Sequence, residues 1–202
     1  MKKKLLLLLA LPVIFFAGIA IYVAAPWTLM YLYGTFVLPE PEQPQIEKES
    51  FPFTLVYERN GEEIVLKDTM ICSYAGSEWY MIEDKKSRTW GMELASGKDA
   101  VVLWEGENKH GKKQRLIYDV EPAYLMGDVE EERGYQQAEE EDFLYPGMTE
   151  AWCRNSCLLL KTFNADGECT EEKIIRKKKL LSKFGITIVR FECREPVKNT
   201  FG

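Results

Sequence analysis

Histidine is almost absent from this chain: His110 is the single histidine among 202 residues. One histidine excludes metal sites built from several histidines, and it leaves any Ser-His-Asp or Cys-His arrangement a single candidate. His110 stands between Lys109 and Gly111, in a sequence typical of an exposed turn. A G-x-S-x-G nucleophile elbow is also absent from the sequence. We therefore predict no catalytic residue and no enzymatic activity.

Paired Cys-x-x-Cys knuckles and complete calcium loops are missing as well. The sequence NADG at 164–167 imitates the centre of an EF-hand loop, but Thr162 and Lys173 occupy positions where that loop requires carboxylates. The stretch is instead typical of a plain turn after a strand. The sequence predicts neither a metal site nor a cofactor.

Cysteine is sparse and odd in number, with five residues in the chain. Cys72 follows Ile71 in a strand-like run, which favours a buried thiol. In an oxidising compartment the other four could form one or two disulfides near the C-terminus, or they could remain free thiols. These four candidates are Cys153, Cys157, Cys169 and Cys193.

Charge of either sign is missing from residues 5–38, which follow the three lysines Lys2, Lys3 and Lys4. About 20 helical residues cross the roughly 30 Å hydrocarbon layer of a bilayer, so this run is long enough to span one. We predict that residues 1–38 form an N-terminal membrane anchor that contacts lipid through residues 5–38. Its helical core should cover residues 5–25 and end at Pro26. Aromatic side chains should follow at the lipid–water boundary, namely Trp27, Tyr31 and Tyr33.

A cleaved signal peptide is the alternative interpretation of this run. Val23-Ala24-Ala25 resembles a cleavage site, but Pro26 would then occupy the first mature position. Either interpretation places the C-terminal domain outside the cell, because the lysines keep the N-terminus cytoplasmic. We therefore expect a single-pass cell-membrane protein with an extracytoplasmic domain.

The extracytoplasmic part is acidic. Setting aside Lys2–Lys4 leaves 23 of the 26 basic residues against 32 acidic ones, a net charge of −9. Nucleic-acid binding depends on neutralising phosphates, so nucleic acid is excluded as an expected partner. The acids concentrate at residues 127–142, which we predict to be the most mobile surface segment.

Strand signals dominate after the anchor. Residues 39–50 alternate Pro and Glu at their start and predict an extended stalk. Residues 51–202 then predict a mainly β domain, an antiparallel sandwich or small barrel with one short C-terminal helix. Asn60-Gly61 predicts a hairpin turn, 75–77 and 96–99 predict further turns, and Thr170 with Gly185 predicts the ends of a helix at 171–184.

The motifs FPFTLVYERNGEEIVLKDTMIC, AYLMGD and the closing LLSKFGI with EPVKNTF carry a resemblance. In this respect the chain resembles a group of membrane-anchored extracytoplasmic proteins of Gram-positive bacteria. The resemblance covers most of the chain after Phe51 and supports the predicted placement. Since no activity is assigned to that group, the resemblance implies no catalytic residue.

Together these features predict a membrane-anchored binding or interaction module with a cell-envelope polymer or a protein as its partner. One interpretation of the aromatic residues is a platform on which a carbohydrate stacks, formed by Trp79, Tyr80, Trp90 and Trp104. Two alternatives stay open. One is a hydrolase of envelope glycan that uses a carboxylate pair, and the other is a structural subunit of a membrane complex.

Overall fold

The structure is a computed structural model that describes residues 2–79, 84–128 and 156–202. The chain divides into two compact units. The first unit contains Met1–Glu42 and Ser77–Arg88, and the second contains Gln43–Gly76 and Thr89–Gly202.

One long helix dominates the first unit. Helix α1 covers Lys2–Phe36, and its stretch Gly18–Phe36 is long enough and apolar enough to cross a membrane. Large apolar side chains along this stretch are exposed, up to 82% for Tyr22 and 78% for Phe36. The predicted helix end at Pro26 is wrong, because the helix continues for ten residues beyond it. The hydrogen bond that a proline cannot donate costs less than ending a helix whose following residues remain apolar and helix-compatible.

The second unit confirms a mainly β domain with two antiparallel sheets. One sheet has the strand order β3-β2-β1-β8 and the other β4-β5-β6-β7. The described strands are β1 Lys48–Arg59, β2 Glu62–Trp79, β3 Lys86–Leu94, β4 Val101–Glu107, β5 Lys113–Val120, β6 Ser156–Phe163, β7 Cys169–Ile174 and β8 Ile186–Cys193. The described part of the chain also contains the short helices α2 Pro122–Leu125 and α3 Lys177–Phe184.

Both sheets contribute to one hydrophobic core, as in a sandwich. Leu55 and Phe191 from the first sheet and Leu116 and Leu158 from the second are each at most 2% exposed. The rings of Tyr118 and Phe191 meet across the core with centroids 5.1 Å apart. Burial of these side chains is the main favourable term for the fold, at about 25 cal/mol per Å² of apolar surface.

The Asn60-Gly61 turn confirms the predicted hairpin between β1 and β2. Both residues have positive φ, 54° and 85°, as a two-residue hairpin turn with the twist of its strands requires. The register continues without interruption from Arg59↔Glu62 to Lys48↔Ser73.

Strand β2 is longer than its local sequence predicts. The predicted turn at residues 75–77 is wrong, because β2 continues through Gly76, which has a φ of 110°. Backbone pairing on the β1 side ends with the bond from Tyr74 N to the Glu47 carbonyl, so beyond that point the neighbour of β2 in the sheet is β3. Pairing with a neighbouring strand therefore overrides a turn signal that only the local sequence carries.

The predicted helix at residues 171–184 is wrong in its first part and confirmed in its second part. Residues up to Ile174 form strand β7, paired with β6 from Leu159↔Ile174 to Phe163↔Cys169, and helix α3 begins only at Lys177. Its predicted C-terminal glycine is confirmed, since Gly185 adopts the left-handed conformation with a φ of 64°. Cross-strand hydrogen bonding to β6 outweighs the N-cap signal at Thr170.

The second half of the predicted stalk belongs to the second unit. The amide of Asn199 donates to the Ile46 carbonyl (2.9 Å) and accepts from the Ile46 N–H (3.0 Å). Gln45 N donates to the Thr200 carbonyl, and Pro44 forms an isolated bridge with Phe201. Residues 43–50 are therefore paired with the C-terminal tail and strand β2, whereas a solvated spacer would make no such contacts.

The predicted mobile segment at 127–142 lies outside the described residues except for its start. Met126 and Gly127 form a turn after α2, and Asp128 follows it. Gly127 N donates to the Tyr124 carbonyl, and Asp128 N donates to the Ala123 carbonyl at 2.9 Å.

Candidate functional site

A cavity of about 260 Å³ lies in the second unit beside strands β5 and β6. Side chains alternate across these strands, so Leu116 and Leu160 enter the core while Arg115 and Lys161 stand on the opposite face. The register pairs Arg115 directly with Lys161. Two cationic side chains from neighbouring strands therefore line the same cavity.

Carboxylates hold the Arg115 guanidinium from two sides. Its Nη1 donates to Asp99 Oδ2 and its Nε to Glu105 Oε1, both at 2.7 Å. The guanidinium carbon also lies 5.6 Å from the centre of the Phe163 ring, within the range of a cation–π contact. These contacts orient the guanidinium at the cavity while 39% of the side chain stays exposed.

Lys161 is oriented in a similar way by the neighbouring strand β7. Its Nζ lies 2.8 Å from Glu172 Oε1, and this hydrogen bond raises the pKa of Lys161 above its ordinary value against the opposing effect of burial. The negative charge of Asp119 adds to the rise. Lys161 therefore remains a cation throughout the physiological pH range.

An apolar patch lies on the same face as these charges. Ile117 is 5% exposed and Leu159 is 8% exposed, and together with Cys157 they form a small second cluster against Ala100 and Val102. Ile117 and Phe163 also line the cavity. The cavity thus joins an apolar surface to a rim of paired charges, an arrangement typical of small binding sites.

This arrangement is suited to binding a ligand that carries charged groups. Each cation has a carboxylate partner that a ligand anion could replace, and each carboxylate so released could accept a ligand cation. Among residues 2–79, 84–128 and 156–202, no cluster of three or more His, Cys, Asp or Glu side chains could hold a metal ion.

The structure describes three of the four predicted platform residues, Trp79, Trp90 and Trp104. The Trp90 indole donates to Asp128 Oδ2 at 2.9 Å and meets Tyr74 edge-on, whereas Trp104 packs edge-on against Phe184 of α3. Trp79 belongs to the first unit, and Tyr80 lies outside the described residues. Trp90 and Trp104 are partly buried against the core, so their described contacts are those of packing residues.

The three described cysteines of the predicted disulfides lie on three different strands. Cys169 on β7 is exposed and Cys193 on β8 is half-buried, and both are free thiols. Cys157 is buried on β6, while Cys153 lies outside the described residues. The structure therefore contains no bridge to Cys169 or Cys193.

The predicted burial of Cys72 is confirmed, since its side chain is 0% exposed. Burial raises the pKa of Cys72 to about 12, and the neighbouring Cys193 adds to the rise. Burial likewise raises the pKa of Cys193 to about 12. Both groups are therefore protonated, unreactive thiols at neutral pH.

Sequence reasoning did not identify Arg115 and Lys161 as a pair. Each occupies a polar position of an alternating strand, which the sequence shows, but 46 residues separate them and only the register of β5 on β6 brings them together. His110, by contrast, is an exposed turn residue as predicted.

Comparison with known proteins gives no match for this chain among family models, curated proteins or solved structures.

Proposed function

We propose that this chain is a membrane-anchored extracytoplasmic module that binds a charged segment of a cell-envelope polymer in the cavity at Arg115 and Lys161. The observation that carries the proposal is the cavity itself, with two oriented cations above an apolar surface.

The anchor in this proposal is helix α1. Its exposed apolar side chains would be costly in water, and a bilayer removes that cost at about 25 cal/mol per Å² of apolar surface. Lys2, Lys3 and Lys4 favour a cytoplasmic N-terminus, which places the cavity outside the cell. The resemblance to membrane-anchored proteins of Gram-positive bacteria supports the same placement.

The ligand in this proposal is a polymer segment that carries anionic groups, such as phosphate or carboxylate, next to cationic groups, because the acidic extracytoplasmic part would repel a purely anionic polymer. The anionic groups can replace Asp99 at the Arg115 guanidinium and Glu172 at the Lys161 ammonium, and the released carboxylates can accept the cationic groups. The new bonds are charge-assisted, like the bonds that they replace. The apolar surface at Ile117 and Phe163 would contact the uncharged part of the segment.

Co-sedimentation tests this function. The full chain in detergent micelles is incubated with purified peptidoglycan and with purified teichoic acid, and bound protein and released product are both measured. We expect sedimentation without product release, weakened by about 10- to 100-fold in Arg115→Gln or Lys161→Gln, since a charge-assisted bond is worth roughly 1.5–3 kcal/mol.

The matched control is Lys67→Gln, which removes an exposed lysine from β2 and should bind like the parent chain. Failure to sediment with either polymer would contradict the proposed function. Equal binding by all three variants would show that the polymer binds somewhere other than the cavity. Product release would establish the hydrolase alternative instead.

A further inference from the structure

The distal ends of β2 and β3, residues 77–79 and 86–88, belong to the same compact unit as helix α1. The indole of Trp79 lies directly on Gly34, so closely that a Cβ atom at Gly34 would overlap the ring. Gly34 is two residues from the last residue of α1. The absence of a side chain at Gly34 therefore makes room for this tryptophan.

Polar contacts join the same strand ends to the end of the helix. Lys86 Nζ donates to the Thr35 carbonyl at 3.0 Å and also bonds the carboxylate of Glu40, which accepts a further hydrogen bond from Ser77. The hydrogen bonds from Lys86 and Ser77 lower the pKa of Glu40. A lysine at the last carbonyls of a helix also complements the negative end of the helix dipole.

A further polar contact joins Arg88 of β3 to Glu42, two residues beyond Glu40. Arg88 is 5% exposed, and its Nη1 donates to the Glu42 carbonyl at 3.3 Å. Trp79, Lys86 and Arg88 thus attach the distal strand ends to the last turn of α1 and to the residues that follow it.

The length of α1 indicates how deep in a bilayer the contact between Gly34 and Trp79 would lie. At 1.5 Å per residue, its 35 residues extend over about 52 Å, against about 40–45 Å for a bilayer with both headgroup layers. With Lys4 at the inner surface, Gly34 lies about 45 Å further along the helix, at the outer edge of the opposite headgroup layer. Exposed Trp27, Tyr31 and Tyr33 on the preceding turns are residue types that favour that layer.

We infer that the distal strand ends form a second membrane contact, in which the Trp79 indole rests in the outer headgroup layer beside the end of α1. The partner is the phospholipid bilayer itself. This inference depends on the proposed anchoring by α1, but it does not depend on the cavity or its ligand.

Tryptophan quenching in vesicles tests it. The full chain is reconstituted in phosphatidylcholine–phosphatidylglycerol vesicles with lipids brominated close to the headgroup, and iodide serves as the quencher in water. The emission of Trp79 is the difference between the parent chain and Trp79→Phe, and that of Trp27 the difference between the parent and Trp27→Phe. We expect brominated lipid to quench both components and iodide to quench Trp79 weakly.

The two differences separate this inference from the anchoring proposal. A Trp27 component quenched by lipid together with a Trp79 component quenched only by iodide would overturn the second contact and leave the anchor in place. A Trp79 component shielded from both quenchers would mean that protein covers it, which also overturns the inference. If lipid quenches neither component, the anchor itself is contradicted.

Discussion

At the scale of single residues, Gly127 lets the C-terminal tail pack closely against it because it has no side chain. Its φ is 67°, a region that favours glycine. A Cβ atom there would overlap the Val197 carbonyl oxygen and lie 3.1 Å from Asn199 N. The C-terminal tail approaches the turn after α2 this closely only because residue 127 is glycine, and Val197 N in return donates to the Leu125 carbonyl.

We predict that Gly127→Ala destabilises the second unit more than Gly111→Ala does. Gly111 has a similar φ of 72° but nothing within 4 Å of the added Cβ, so its substitution measures backbone strain alone, about 1–2 kcal/mol. The overlap with the tail should add about 1–3 kcal/mol at Gly127. Urea denaturation of the full chain in micelles gives both values, and equal losses would contradict the tail contact.

At the scale of elements, helix α3 is attached to the sheets by one face. Leu180 is 1% exposed and Phe184 6%, whereas Leu181 is 62% exposed. Phe184 meets the Trp104 ring edge-on, with centroids 5.1 Å apart, and the Trp104 ring in turn covers Gly106 on β4. The helix is only eight residues long, too short to be stable alone, so this packing stabilises it.

Leu180→Ala should therefore lower the free energy of unfolding by about 2–5 kcal/mol, the usual cost of removing a buried leucine side chain. Leu181→Ala is the matched control on the same helix, and we expect it to change stability by less than about 0.5 kcal/mol. Thermal and urea unfolding of the two variants, followed by tryptophan emission, makes the comparison. Similar losses in both would show that α3 packs by a different face.

At the scale of the whole molecule, the exposed Cys169 thiol can report on which side of the membrane the second unit lies in the proposed topology. A membrane-impermeant maleimide should label the chain on intact reduced cells whose wall has been permeabilised, and Cys169→Ser should lose most of that labelling. Buried Cys72, with its pKa of about 12, should stay unlabelled until the protein unfolds. Labelling of Cys169 only after lysis would show that the second unit lies in the cytoplasm.

Some elements follow from the sequence because their cause is local. Asn60-Gly61 forms the hairpin turn, and Gly185 ends α3, because each requires positive φ that few other residues adopt at low cost. The apolar run after Lys4 forms a helix that no charged side chain interrupts. Alternation along β5 and β6 likewise shows which residues enter the core.

Other features depend on partners that are distant in the sequence. Residues 171–174 have the signals of a helix start, yet they pair with β6 as a strand, and β2 continues through a predicted turn because β3 lies beside it in the sheet. The register of β5 on β6 brings Arg115 to Lys161, and the fold of the first unit brings Trp79 to Gly34. Local sequence determined the Asn60-Gly61 turn, the apolar helix and the strand faces, because backbone preferences and side-chain periodicity act over a few residues. Only the tertiary structure decided the candidate site and the contact of Trp79 with Gly34, because both require residues far apart in the chain to meet.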